Sequence, residues 1–516
     1  MPVQRPTSNE LEAAAETWQL SLASDDMTQL QDALETIFRT YERVERLAPP
    51  PQPSRPRQYR VNGRRPPQRE NPLNAWQWKG DINGAESGRL AGKTVAIKDN
   101  IAVAGVPMTC GSKILESYVP EMDATVVARV LDAGARIAGK ATCENLCLSA
   151  SSFTSVMGPV LNPYDSTRST GGSSSGCAAL VAHGDVDLAI GTDQGGSVRA
   201  PSSWCGICGL KPTFGLVPYT GIMPLELTLD VAGPMTRTVE MAAELLDVMA
   251  GADGLDPRQR GVSRAESYVT GLDGRLIGWR IGLVREGFGW SGISERDVDT
   301  AVRDACRAFV DIGCEVAEAS VPWHRHAVDI YGPIFLEGLT TLMGHGSTNW
   351  NGLSLVGAQD AFTSGRHAAP DGLPLTAKVR MIAGAYLAKT YSGHFYAHAQ
   401  NLVRELTRQY DEAFSHFDLL AMPTVPVKAR TLPRAEMTAD QYMRASSGIS
   451  QNTCASNLTG HPSITVPCGM SGGLPIGLML VAPLHADARL LQAAHSFQES
   501  IYRPPSPPGT EYECRA

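Results

Sequence analysis

From residue 94 onward the chain alternates short apolar runs with stretches of helical period, and that alternation limits what it can fold into. Thr94-Val95-Ala96-Ile97 is a short continuous apolar run, fit for a buried strand. Residues 124–133 (ATVVARVLDA) read as a helix, and Arg136–Lys140 and Leu188–Gly191 as strands. The pattern returns as a strand at Arg280–Val284, an amphipathic helix at Glu295–Ile312 and a strand at Cys314–Ala317. Further short strands are expected at Phe417–Met422 and Ile464–Val466. No fixed-period repeat accompanies them, so the expectation is an α/β fold and not a solenoid.

The N-terminal part differs. Leu11, Ala14, Ala15, Trp18 and Leu22 recur at helical spacing, and Met27, Leu30, Leu34, Ile37, Phe38 and Tyr41 continue it. Ser24, Asp25 and Asp26 break the pattern and offer a cap for a second helix. The stretch Pro49–Pro72 is dense in proline and arginine and reads as an extended linker. The expected organisation is a helical segment at 1–48, a linker at 49–72 and one large body at 73–516. Length alone would suggest roughly three domains, a soft prior that a single large α/β body overrides.

Composition excludes several classes. At 43% apolar and 19% charged residues the chain is too apolar for a disordered protein. A net charge of −8 lacks the basic footprint of a nucleic-acid binder. No run approaches the length of a membrane-spanning helix, so no membrane partner is expected. Eleven cysteines without a small-domain framework, and no secretory pattern at the start, read as reduced thiols in a cytoplasmic protein.

Two clusters concentrate the chemistry. One is Ser169-Thr170-Gly171-Gly172-Ser173-Ser174-Ser175-Gly176, the other Gly191-Thr192-Asp193-Gln194-Gly195-Gly196-Ser197. Glycines let successive backbone N–H groups converge on one concavity, and a nearby hydroxyl can then attack a carbonyl while those groups bind the oxyanion. A phosphate loop would need a lysine that neither cluster supplies, and neither carries a dinucleotide fingerprint. Gly172–Gly176 does match the G-x-S-x-G elbow, which would make Ser174 the nucleophile. His183 lies too close in sequence to complete that triad, which leaves later histidines such as His461.

A fourth reading accounts for more of the chain. Val95-Ala96-Ile97-Lys98-Asp99-Asn100, GGSSSG at 171–176, GTDQGGSVRAPSSWCGICGLKPT at 191–213 and DVAGPMT at 230–236 together resemble the amidase signature family. Pro462–Pro467 and Leu474–Gly477 extend the resemblance, which covers about residues 72–495. The helical N-terminus looks like that of bacterial amidases associated with nitrile hydratase. The resemblance implies a mixed, twisted central sheet covered by helices on both faces, plus a small helical N-terminal domain.

By the same resemblance, the family's Ser-cisSer-Lys triad falls on Ser197, Ser173 and Lys98, with a cis peptide before Ser173. A serine hydroxyl needs an adjacent base, and lysine serves as one only when neutral. The oxyanion would rest on backbone N–H groups of Gln194, Gly195, Gly196 and Ser197, with Ser174, Asp193 and Arg199 in support. The implied reaction is hydrolysis of a small-molecule carboxylic amide to an acid and ammonia or an amine, without cofactor or metal. Carbamate or ester cleavage by the same triad is the alternative, and membership of a glutamine-dependent amidotransferase is a further one. A homodimer through the N-terminal helices is also implied.

Other candidates are weaker. Cys205-Gly206-Ile207-Cys208 lies inside the family motif and reads as packing, as do Cys143 and Cys147 on an expected helix face. His324-x-His326 and His394-x-x-x-His398 lack the glutamate of a zinc-protease motif. Trp76, Trp78, Trp323, Tyr331 and Phe335 read as core first and as a substrate pocket second.

Overall fold

The computed structural model describes residues 3–21, 24–47, 63–261, 267–346, 348–369, 371–434 and 437–510. The chain divides into two compact units, 1–55 and 56–516. In the first, α1 (Ser8–Thr17) and α2 (Ser24–Arg46) form the helical segment. Thr7 and Glu10 close a reciprocal capping box at the start of α1. Arg5 reaches Glu35 and Glu42 on α2, at 2.7 Å in each case.

The second unit is built on one sheet of twelve strands: β1 (Gly63–Arg64), β2 (Trp76–Asn83), β3 (Thr94–Lys98), β4 (Arg136–Ala141), β5 (Leu188–Asp193), β6 (Cys208–Lys211), β7 (Val231–Thr236), β8 (Arg280–Val284), β9 (Glu315–Ala319), β10 (Leu419–Pro423), β11 (Ser463–Ser471) and β12 (Leu474–Val481). Their order across the sheet is β1-β2-β4-β3-β5-β7-β6-β11-β12-β10-β8-β9. The sheet is mixed: β3 runs parallel to both β4 and β5, whereas β5–β7 and β6–β11 are antiparallel.

Strand periodicity sorts the two faces. Val95 and Ile97 enter one core with Ile137, Leu188 and Ile190, covered by α3 (Thr125–Asp132). Ala96 enters the other with Ala141 and Ala189, covered by α4 (Ser175–His183). This second face is lined by alanines on both sides, Ala178 and Ala179 included, so α4 lies close against the sheet. Lys98, two residues beyond Ala96, therefore belongs to the α4 side. Further cover comes from α5 (Arg199–Trp204), α6 (Val239–Met249), α7 (Arg296–Ala308) and α8 (Ala327–His345).

Three expectations change. The expected linker ends early: residues 48–62 lie outside the described residues, but Gly63 and Arg64 already pair with Gly80 and Lys79. Asn71 extends this attachment, because its side chain exchanges two hydrogen bonds with the Trp76 backbone at 2.9 and 3.0 Å. The helix face expected to carry Cys143 and Cys147 is absent. Asn145–Cys147 is a single 3₁₀ turn in which Leu146 and Cys147 take φ of 49° and 58°. The helix expected at 295–312 stops at Ala308 and tightens to 3₁₀ over Phe309–Ile312 before Gly313 ends it at φ 92°.

Gly176 tests the close approach of α4. A Cβ there would lie 2.3 Å from the Ala75 carbonyl oxygen and 2.6 Å from the Thr142 nitrogen. Helix propensity alone would make Gly176→Ala stabilising by about 1 kcal/mol. The clash should reverse that sign and destabilise by about 1–3 kcal/mol, read as a lower urea midpoint. A raised midpoint would refute the close packing.

Candidate active site

The parallel register of β3 and β5 pairs Ile97 with Ile190, so the next residues, Lys98 and Gly191, run side by side toward the carboxyl ends of both strands. Ligand sites in open α/β sheets form at that edge. Lys98 is fully buried. Its Nζ donates to Ser173 Oγ at 2.7 Å, to Thr192 Oγ1 at 2.8 Å and to the Thr192 carbonyl at 3.2 Å. All three partners are neutral oxygens. Lys140, on the neighbouring strand, instead pairs with Asp99 at 3.2 Å.

Ser173 lies just before α4, and the Gly172–Ser173 peptide is cis. Its carbonyl accepts the Glu144 N–H at 3.2 Å. Ser174 stitches this turn to the next loop: its N–H donates to the Ser197 carbonyl at 3.2 Å, and its hydroxyl donates to the Thr192 carbonyl at 3.2 Å. No histidine bonds Ser174 among the described residues. His461 is engaged elsewhere, by Thr459 at 2.8 Å and Asp411 at 3.1 Å. The elbow arrangement therefore does not form.

Ser197 sits on the loop between β5 and α5, 8% exposed. Asp193 shapes this loop. One carboxylate oxygen accepts the Gly196 N–H at 2.7 Å, and the other accepts the Val198 N–H at 3.0 Å. The Arg199 guanidinium closes on the same carboxylate at 2.9 and 3.0 Å. Burial alone would raise this carboxyl. The Arg199 charge and hydrogen bonds, with the Val198 N–H and the Asn457 side chain, outweigh it and hold the group well below the usual carboxylate range. Arg199 is in turn fixed by the Thr453 carbonyl, Ser456 and Asn457 at 2.9, 2.6 and 2.7 Å. Gly196 takes φ 122°, and a Cβ there would meet Thr453 Oγ1 at 2.3 Å.

This geometry corrects one expectation. The Gly196 N–H is committed to Asp193 and is not free to meet an oxyanion. The N–H groups of Gln194, Gly195 and Ser197 have no protein acceptor among the hydrogen bonds of the described residues.

Sequence reasoning passed over Thr192, although it lies inside the second cluster and makes two of the three bonds to Lys98. It also passed over Thr453, Ser456 and Asn457, which are distant in sequence and carry no motif. Among the aromatic candidates, Trp76 is core, while Tyr331 packs over Gly195 and stacks on Phe335 at 5.2 Å. A cavity of about 320 Å³ is lined by Tyr219 and Met223 and, among others, by Leu342, Met343, Trp350 and Phe362. Cys205 and Cys208 are free, buried thiols facing the Thr170 and Arg237 carbonyls, and burial pushes Cys208 up to about 12. His324 is buried, with its ring nitrogens on Tyr410 at 2.7 Å and Asn452 at 3.0 Å. Burial lowers its pKa to about 4.

Comparison with known proteins gives this geometry a context. A profile of the Amidase family matches residues 69–491. An enantioselective amidase from Rhodococcus rhodochrous is 41% identical, with 98% of this chain and 97% of that protein aligned. The crystal structure of a glutamyl-tRNA(Gln) amidotransferase subunit from Thermotoga maritima superposes with a TM-score of 0.70 at 29% identity, covering 85% of this chain and 91% of that one. Native peptide amidase from Stenotrophomonas maltophilia superposes at 0.69 and 29% identity, over 82% and 85%. With the family profile spanning most of its length, the chain belongs to the amidase family.

Proposed function

We propose that this amidase-family enzyme hydrolyses a small-molecule carboxylic amide through Ser197, Ser173 and Lys98. The observation that carries the reading is the 2.7 Å bond from the buried Lys98 Nζ to Ser173 Oγ, on a turn bonded to the Ser197 loop. In its amine form Lys98 accepts the Ser173 proton, and its two remaining N–H bonds stay on Thr192. Ser173 takes the proton of Ser197 as that oxygen attacks the amide carbonyl. The oxyanion is met by the N–H groups of Gln194, Gly195 and Ser197. Ser173 then returns a proton to the leaving ammonia or amine. Water attacks the acyl-enzyme by the same relay in reverse and releases the acid.

Asp193 and Arg199 take no part in proton transfer. They hold the loop, with the Gly196 N–H turned to Asp193. The N-terminal helices favour a free-standing amidase over a component of an amidotransferase, because the R. rhodochrous enzyme aligns over nearly the whole chain. Those helices also support a homodimer: Ile37, Tyr41, Val44 and Leu47 on or just after α2 are all at least half exposed at helical spacing. The ten free cysteines of the described residues suit the reducing cytoplasm.

Ser197→Ala should abolish covalent labelling by a fluorophosphonate, with labelled peptides located by mass spectrometry. Label that persists on Ser174 would remove the assignment. Asp193 supplies a pH test. Its folded-state pKa is depressed below an unfolded value of about 3.9, so its contribution is fully present above that pH and is lost as pH falls through the folded value. Asp193→Asn should cost about 3–5 kcal/mol at pH 7 by leaving Arg199 unpaired. The gap to wild type in urea unfolding should narrow below about pH 4, and a constant gap would contradict the ion pair. Removing residues 1–55 should turn a dimer into a monomer in sedimentation velocity, and a truncated chain that stays dimeric would exclude α1 and α2 as the interface.

A further inference from the structure

Tyr219 lies outside both glycine- and serine-rich clusters, in the turn after β6, and the mechanism above gives it no part. Its side chain is buried. The phenol oxygen accepts Gln194 Nε2 at 2.9 Å. Gln194 and Thr192 flank Asp193 and serve different ends of the chemistry. Thr192 holds Lys98, and Gln194 opens the loop of oxyanion donors. Gln194 Oε1 is buried without a partner, so the phenol is the one protein group that anchors this side-chain amide among the described residues.

The ring is fixed independently of that contact. The Tyr219 N–H donates to Asp256 at 2.9 Å, and the Arg258 guanidinium, paired with Asp256 at 2.8 Å, lies 5.1 Å from the ring centroid. The hydroxyl is thus presented to the site from a rigid base. The loop it meets continues into Gly195-Gly196, where the Gly195 carbonyl accepts the Thr453 hydroxyl and the Gly196 N–H donates to Asp193, each at 2.7 Å. Donor placement at an oxyanion is sensitive on the scale of an ångström.

We infer that Tyr219 is a positioning residue for amide hydrolysis, its hydroxyl anchoring the Gln194 side chain at the start of the donor loop. This rests on the assignment of Lys98, Ser173 and Ser197 above.

Tyr219→Phe removes the oxygen and leaves the ring beneath Arg258. Its kcat should fall on the order of 10–100-fold with KM within about twofold, the pattern of an interaction realised in the transition state. Gln194→Met should give a similar loss, and the double variant should lose no more than the larger single loss. Tyr396→Phe is the control. It deletes a phenol bonded to the buried Glu226 at 3.1 Å, away from the loop, and should leave kcat unchanged. Fluorophosphonate labelling of Ser197 is measured alongside in the wild type. Absence of label there would defeat the parent assignment, whereas the inference itself fails if Tyr219→Phe keeps wild-type kcat, if the two single losses multiply, or if Tyr396→Phe loses as much.

Discussion

The buried Asp193–Arg199 pair is the interaction around which the site is arranged. Neither charge reaches solvent, and each is saturated: the carboxylate by two loop N–H groups and Arg199, the guanidinium by Thr453, Ser456 and Asn457. A buried pair of this kind contributes little net stability against an apolar pair of the same shape. What it supplies here is conformation. It turns the Gly196 N–H inward, bends the chain around Ser197 and ties the loop to a helix more than 250 residues away in sequence. The N–H groups of Gln194, Gly195 and Ser197 find no protein acceptor among the described residues.

The sheet provides the second constraint. Lys98 and Thr192 meet because β3 and β5 are parallel neighbours in register, and Ser173 reaches them because an alanine-lined face lets α4 come close. Side-chain size along Ala96, Ala141, Ala178, Ala179 and Ala189 thus sets the depth at which the serine cluster lies. Lys98 needs no carboxylate there, since Asp99 is turned to Lys140 and to the Thr109 hydroxyl and N–H.

Much of this was legible in the sequence, for local reasons. The apolar run at 94–97, the helical period at 124–133 and the strand at 280–284 each declare themselves within their own window, and each lies where it was expected. The two clusters announced a tight backbone, and the family resemblance picked Lys98, Ser173 and Ser197 from among many lysines and serines. Long-range features were out of reach. No local pattern says that Asn457 holds Arg199, that Gly196 donates to Asp193, or that Tyr219 meets Gln194. β2 and the β11–β12 hairpin were missed or cut short, since mixed polar residues at 76–83 and a Gly472-Gly473 turn within an apolar stretch blur the strand signal. The left-handed Leu146 and Cys147 broke an apparent helix face through backbone conformation, which residue spacing does not encode.

The account stands on covalent catalysis at Ser197. The most direct measurement is intact-protein and peptide mass spectrometry of the enzyme acid-quenched during steady-state turnover of a slow aryl amide. The account predicts an added acyl mass on the peptide that carries Ser197, absent before substrate is added and gone once substrate is exhausted. An acyl mass on the peptide that carries Ser174, or turnover that yields neither an acyl-enzyme nor, when hydroxylamine is supplied to intercept one, a hydroxamate, would contradict it.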